Sequence, residues 1–273
     1  MNYSPAAVEQ YYDERARDEW ERFSRSPVEE IKLYIHTHYL KKFVTPCSRV
    51  LDIGAGPGRF TEILHELDCQ IVVADLSAIQ LDLNRQFASE RGFAASVEQW
   101  LKLDICDLSA LEAETFDVVV AYGGPLSYVF EKRDPALQEC KRVLKPGGLI
   151  VASVMSLWGT IHRFLGSITA LPVENTQAVV RTGDLTPETE PESKHHCHLF
   201  RAQEFLDFFR RHNLEVVAKS ASNTLSTNHE ELLGAVRQQP KVWASVLSME
   251  LEASAEEGYL NGGTHIIAVA RKS

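Results

Sequence analysis

From residue 49 to 155 the chain alternates short, undiluted apolar runs with longer stretches whose apolar residues recur at helical spacing. The runs are Val50 to Ile53, Ile71 to Ala74, a weaker one near Trp100 to Leu103, Val118 to Ala121, and Leu149 to Val154. A strand with one wet face alternates polar and apolar residues, so runs without polar interruption read as parallel strands covered on both faces by the helices between them. The pattern predicts a doubly wound α/β sheet.

The flanks read differently. Residues 5 to 43 predict helices, opened by the N-cap Ser4 with Pro5 at the first helical position and carrying Tyr12, Trp20, Phe23, Ile31, Tyr34, Ile35 and Leu40; Pro27 and Pro46 punctuate them. Asp134-Pro135 predicts a helix over 135 to 144. After residue 155, Leu157, Ile161, Phe164, Leu165 and Ile168 keep helical spacing, and a polar loop with Pro172, Pro187 and Pro191 is expected to run to His198. A helix over 202 to 212, a strand Leu214 to Ala218, helical patterns at 228 to 238 and 240 to 257, and a final strand Thr264 to Ala270 follow. The expected organisation is a helical N-terminal cover, 1–46, and one α/β domain, 47–273, with insertions at about 156–199 and 221–263. Trp158 and Trp243 lie in apolar helical patterns and read as core.

Composition narrows the class. The 273 residues are 44% hydrophobic and 24% charged, close to globular averages. A net charge of −10 opposes binding to phosphate backbones, so no nucleic-acid partner is expected. The uncharged stretch Gly147 to Ile161 is too short and too rich in Gly and Ser to span a bilayer, and the N-terminus has acids and aromatics where a secretory signal needs a basic start. A cytoplasmic protein, monomer or homodimer, is expected. Five cysteines without a CxxC pair suit a reducing compartment, and no disulfide is expected.

The strongest chemical signal is Val50-Leu51-Asp52-Ile53-Gly54-Ala55-Gly56-Pro57-Gly58-Arg59-Phe60, a buried strand entering a glycine turn and then a helix. Such a turn brings backbone N–H groups close to a ligand. The dinucleotide pattern GxGxxG would need glycine where Arg59 stands, and Asp52 just before the turn would favour a cationic group over a pyrophosphate. The second strand ends in Asp75-Leu76-Ser77, an acid placed to accept from ribose hydroxyls. The third leads into Asp104-Ile105, a carboxylate for an adenine amino group beside an apolar residue for its ring. Phe116 to Tyr122 forms the fourth strand, opening at Gly123, and a Pro146-Gly147-Gly148 turn feeds the fifth.

In order and spacing these residues resemble the class I S-adenosylmethionine-dependent methyltransferases across 49 to 155. The resemblance implies a Rossmann-like seven-stranded sheet with an antiparallel last strand, and S-adenosyl-L-methionine as cofactor. It also implies that Asp52, Gly54, Ala55, Gly56 and Gly58 face the methionine portion, Asp75 and Leu76 the ribose, and Asp104 and Ile105 the adenine, with Ala121 and Tyr122 near the sulfonium. The expected reaction is methyl transfer to nitrogen or oxygen of a small-molecule acceptor. An RNA or protein methyltransferase and a non-catalytic cofactor-binding module are the alternatives.

Methyl transfer needs chiefly alignment, so a dedicated catalytic residue is optional. Tyr12, Tyr128 and His198 are the candidates. Tyr12 lies on an aromatic, acidic helix that either contacts the methionine moiety, lines the acceptor pocket, or packs on the core. Lys194-His195-His196-Cys197-His198 reads as metal ligands, a base or a plain segment, and adjacent residues seldom converge on one ion, so no metal is expected. Gly123 to Tyr128 lacks the Asn/Asp-Pro-Pro-aromatic motif of enzymes acting on planar amides. Arg210-Arg211-His212 reads as a solvated face. The two insertions, with the Tyr11 and Tyr12 helix, are expected to roof a mostly apolar acceptor pocket next to Tyr122, Leu126 and Tyr128.

Overall fold

Each apolar run becomes a strand in the computed structural model, which describes residues 2–191, 193 and 195–273. The strands are β1 (Arg49–Ile53), β2 (Gln70–Asp75), β3 (Val97–Lys102), β4 (Phe116–Ala121), β5 (Leu144–Met155), β6 (Asp184–Leu185), β7 (Cys197–His198), β8 (Leu214–Ala221) and β9 (His265–Lys272). Seven of them form one sheet in the order β3-β2-β1-β4-β5-β9-β8. β1 to β5 pair in parallel, while β9 runs antiparallel between β5 and β8, in agreement with the expected reversed last strand.

The helices are α1 (Pro5–Arg15), α2 (Asp18–Glu21), α3 (Pro27–Phe43), α4 (Arg59–Glu66), α5 (Ala78–Arg91), α6 (Pro125–Tyr128), α7 (Arg133–Val143), α8 (Leu157–Arg163), α9 (Leu165–Ala170), α10 (Val173–Thr182), α11 (Ala202–Arg211), α12 (Glu230–Val236) and α13 (Pro240–Ala255). Ser4, Ser26 and Ser77 cap α1, α3 and α5, each accepting from a backbone N–H in the first turn. Strand alternation sends Leu51 and Val119 to a core with Leu137, Phe205 and Phe209 on one side of the sheet. Val50 and Val120 go to a core with Ile31, Ile35, Leu64 and Phe87 on the other.

Three expectations change. The loop expected from Pro172 to His198 contains α10, because Pro172 stands at the helix entrance, where a missing N–H costs nothing. Trp158 is 42% exposed, with Arg201 over its ring, so it is not core. Trp243 does pack on the second core, beside Val246, Leu247 and Leu251. That apolar face of α13 turns the 221–263 insertion toward the sheet face and away from the carboxyl ends of the strands. Buried Glu250 then fixes the turn after β8 by accepting from the N–H groups of Thr224, Leu225 and Ser226. Arg210 pairs with Asp207 and His212 with Asp134 at the surface, as a solvated face requires. All five cysteines are free thiols, and no helix among the described residues is long and apolar enough to cross a membrane.

Candidate active site

A cavity with about 900 Å³ of empty space opens at the carboxyl ends of β1, β2 and β4. Its position beside β1 and β4 is the crevice where the chain switches direction across a doubly wound sheet. The floor is the backbone of Gly54 to Pro57. Gly54 sits at φ +69°, and a Cβ there would lie 2.5 Å from Cγ of Pro125, the first residue of α6. Gly56, at φ +55°, has open space where a Cβ would be, its nearest neighbour being Gln80 Oε1 at 3.9 Å. Packing therefore demands glycine at Gly54, and backbone conformation demands it at Gly56.

Asp75 lines the cavity. Its Oδ2 accepts from Gly56 N at 2.8 Å and its Oδ1 from Ser77 N at 2.8 Å, so one carboxylate joins the glycine turn to the start of α5. Burial pushes its pKa up to about 6. Leu76, Leu103 and Ile105 form an apolar slot next to it, with Asp104 at the rim. Asp104 accepts from the hydroxyl of Tyr3 at 3.0 Å and from Cys106 N at 2.8 Å. Ala55 and Tyr122 also line the cavity.

Three of the expected cofactor residues lie behind the wall. Asp52 points toward α4, where it is 2% exposed and accepts from Thr61 Oγ1 at 2.7 Å; burial raises its pKa to about 7. Gly58 begins α4 in a left-handed conformation against Asn84. Ala121 is wholly enclosed in the sheet.

At the other end of the cavity the chemistry concentrates. Tyr12 Oη donates to Tyr128 Oη at 2.7 Å, and Tyr128 is 2.7 Å from Nε2 of His195. Both tyrosines line the cavity, and burial raises both phenol pKa values, so they are neutral. Burial, reinforced by Arg15, pushes His195 down to about 4, leaving Nε2 as a free lone pair that receives the Tyr128 hydrogen. Of the three readings of Tyr12, the structure places it on the cavity wall.

The same segment corrects the expectation for His198. Its ring lies between Asp184 Oδ1 at 2.6 Å and Glu204 Oε1 at 2.9 Å, away from the cavity. Carboxylates only accept, so both nitrogens carry hydrogen; the two acids outweigh burial and raise the pKa. An imidazolium held this way has no lone pair for base catalysis. Cys197 packs in an apolar cluster with Tyr128 and Val179, His196 faces a separate small pocket, and Lys194 lies outside the described residues. Sequence neighbours thus point in different directions, and among the described residues no three potential ligands come together for a metal.

The roof also differs from the expected one. Tyr3, Val8, Tyr12, Glu19, Arg22 and Phe23 close the cavity from the N-terminal segment. The 156–199 insertion stands behind Tyr128 as a second layer, and the 221–263 insertion does not reach the cavity. Leu126 packs into the core, and Glu19, Arg22 and the tyrosine pair stand among the apolar residues at this end of the cavity.

Sequence reasoning passed over Gln80 and Asn84. Gln80 Nε2 donates to the carbonyls of Tyr12 and Ala16, and Ser77 donates to Asp13, which together clasp α1 to α5. Asn84 donates to Gly56 O and Thr61 Oγ1 and accepts from Trp100 Nε1 at 2.9 Å, bracing the glycine turn. The available signal was two amides one helical turn apart on the face that carries Leu81, Phe87 and Ala88.

The donor set suits a nucleoside carrying a charged tail: a glycine cradle, an acid at the end of β2, and an apolar slot beside a second acid. A family model described as a methyltransferase domain matches residues 51–152. A ubiquinone biosynthesis O-methyltransferase of Actinobacillus pleuropneumoniae is 29% identical over 111 residues, covering 40% of this chain and 46% of the relative. A ubiquinone/menaquinone biosynthesis C-methyltransferase of Teredinibacter turnerae is 36% identical over 112 residues, 40% and 43% of the two chains. The chain thus spans about half the length of the curated relatives it matches. Among solved structures, a possible histamine N-methyltransferase from Thermotoga maritima aligns with a TM-score of 0.58 at 19% identity, covering 96% of this chain and 99% of that one. Geranyl diphosphate C-methyltransferase of Streptomyces coelicolor, solved with S-adenosyl-L-homocysteine, aligns at 0.55 with 15% identity, covering 87% and 78%.

Fold and cavity define a doubly wound α/β protein with its cavity at the carboxyl ends of the strands. The matches identify residues 51–152 as a methyltransferase domain, and the seven-stranded sheet is the fold of the class I methyltransferases, whose cofactor is S-adenosylmethionine.

Proposed function

We propose that the protein transfers a methyl group from S-adenosylmethionine to an oxygen or nitrogen of a small-molecule acceptor held under α1. The observation that carries this reading is the Tyr12–Tyr128–His195 chain at the acceptor end of a cavity whose opposite end holds Asp75 and the slot of Leu76, Leu103 and Ile105. When bound, S-adenosylmethionine supplies an electrophilic methyl group on sulfonium sulfur. Asp75 would hold the ribose, the Gly54 to Pro57 backbone the methionine portion, and Leu76, Leu103 and Ile105 with Asp104 the adenine.

This chain's residues handle the proton that the acceptor must lose. Tyr12 gives its own hydrogen to Tyr128, so its oxygen keeps lone pairs for the acceptor's O–H or N–H. As that proton reaches Tyr12, the Tyr12 proton moves to Tyr128 and the Tyr128 proton to Nε2 of His195. Positive charge then rests on a ring near Glu19, whose carboxylate Arg22 and Arg15 keep ionised despite burial. The clasp of α1 onto α5 excludes water from the exchange.

The net charge of −10 and the enclosure of the cavity favour a small acceptor over RNA or a protein. The test is a panel of phenols, catechols and primary and secondary amines assayed for S-adenosylhomocysteine release. Turnover of at least one member is expected, depending on Tyr128. Binding of S-adenosylmethionine with no turnover on any member would favour the non-catalytic module.

A further inference from the structure

We infer that a side pocket off the acceptor end of the cavity receives an anionic group, a carboxylate or phosphate, carried by the methyl acceptor. The inference rests on the methyl-transfer reading and adds the acceptor's chemical class. Arg22, Phe23, Phe60 and Gly123 line both spaces, and the side pocket continues past them to Glu29, Lys32, His36 and His265, with about 250 Å³ of empty space. Gly123 follows β4, so the pocket lies on the acceptor side, away from the Leu103 and Ile105 slot.

Hydrogen-bond accounting identifies what is missing there. Arg22 has five N–H donors; its nearest carboxylate, Glu19, is 3.5 Å from Nη1 and is held by Arg15 at 2.5 Å. Nε of Arg22 is shielded from solvent and has no partner. Lys32, buried in α3, offers three donors and places one on Glu29 at 2.6 Å. His265 Nε2 is likewise shielded and unpartnered, 6.4 Å ring to ring from His36, whose Nδ1 donates to Lys32 O.

Glu19 is held by Arg15 and Glu29 by Lys32, so the two carboxylates are taken up while Arg22 keeps donors without an acceptor. An unsatisfied buried donor is costly, and a charged one more so. A group that carries negative charge and only accepts would take up Arg22 and Lys32 together. A neutral apolar acceptor would leave Nε of Arg22 without a partner and Lys32 with Glu29 alone. Burial first, then Lys32 and Arg22, hold His265 well below its ordinary pKa.

The experiment uses the full chain loaded with S-adenosylhomocysteine and titrates benzoate and benzamide, probes of one shape that differ in charge. Benzoate is expected to bind tighter by about tenfold or more, the scale of a charge-assisted hydrogen bond. Lys32→Met should remove the preference while leaving S-adenosylhomocysteine affinity within about twofold, since Lys32 does not line the main cavity. Equal affinity of the two probes overturns the inference alone. So does benzoate that competes with S-adenosylhomocysteine, since Arg22 then serves the cofactor's own carboxylate. Failure of S-adenosylhomocysteine to bind at all overturns the methyl-transfer reading beneath it. The wild-type comparison decides the matter even if Lys32→Met does not fold.

Discussion

The two glycines of the turn make a contrast that can be measured one residue at a time. Gly54→Ala forces a left-handed φ on alanine and drives its Cβ against Pro125, so a loss of roughly 2–4 kcal/mol in stability is expected. Gly56→Ala meets open space, and its cost should be confined to backbone strain of about 1–2 kcal/mol. Chemical denaturation of the two variants tests the ranking, and equal losses would mean that Pro125 yields freely.

Asp52 supplies a pH test at the same scale. Burial raises its folded pKa to about 7, above the ordinary carboxylate value, so the native state binds a proton that the unfolded chain has released. That contribution is complete below the unfolded pKa and is lost as pH rises through about 7; Asp75, raised to about 6, acts in the same direction. The melting temperature should therefore fall between pH 5 and pH 8, and Asp52→Asn should reduce the slope, with its stabilising effect seen at pH 8 and not at pH 4. A variant slope equal to that of the parent would place the titration elsewhere.

At the scale of elements, the β6–β7 pairing separates the two imidazoles, one reaching the cavity wall and the other turned away from it. β6 and β7 form a two-residue ladder that sends His198 to Asp184 and Glu204, while His195, just before it, reaches Tyr128. Composition showed a cluster of imidazoles, but the choice between His195 and His198 depends on where a short hairpin begins, and no periodicity in so short a stretch records that. The glycine turn, Asp75 and the slot residues were legible because strand ends and left-handed turns write themselves into residue type. α10 was not, since only Val179 on it is buried and Val173 is 70% exposed, which leaves almost no apolar stripe to read.

His195→Phe and Tyr128→Phe should each lower turnover by roughly 10²-fold or more while S-adenosylmethionine affinity stays within a few-fold. Residual turnover of His195→Phe should climb with pH as the acceptor loses its proton to solvent, a response that a loss of packing alone would not produce. An unchanged rate in both variants would remove the proton route. The α1 clasp is testable separately. Gln80→Ala removes the bonds to Tyr12 and Ala16, so limited trypsin digestion should cut faster at Arg15 and Arg17, with the rest of the chain resistant as before.

Across the whole molecule, one sheet would serve both partners of the proposed reaction. The ends of β1, β2 and β3 present the cradle, Asp75 and the slot; the end of β4 presents Tyr122 and Gly123; and α1 with the Glu19 to Phe23 stretch closes the space between them. The additions after β5 support this arrangement from behind. The 156–199 segment holds Tyr128 in place, and α12 and α13 pad the sheet face beside α3. All of this depends on the cavity being a S-adenosylmethionine site with Asp75 at its centre. Calorimetric titration of S-adenosylhomocysteine into the protein and into Asp75→Ala tests that claim most directly. One site per chain is expected, weakened in Asp75→Ala by about 1.5–3 kcal/mol, the scale of hydrogen bonds to a charged group, with the far-ultraviolet spectrum unchanged. Equal affinity in the two proteins, or no binding to the parent, would contradict the account.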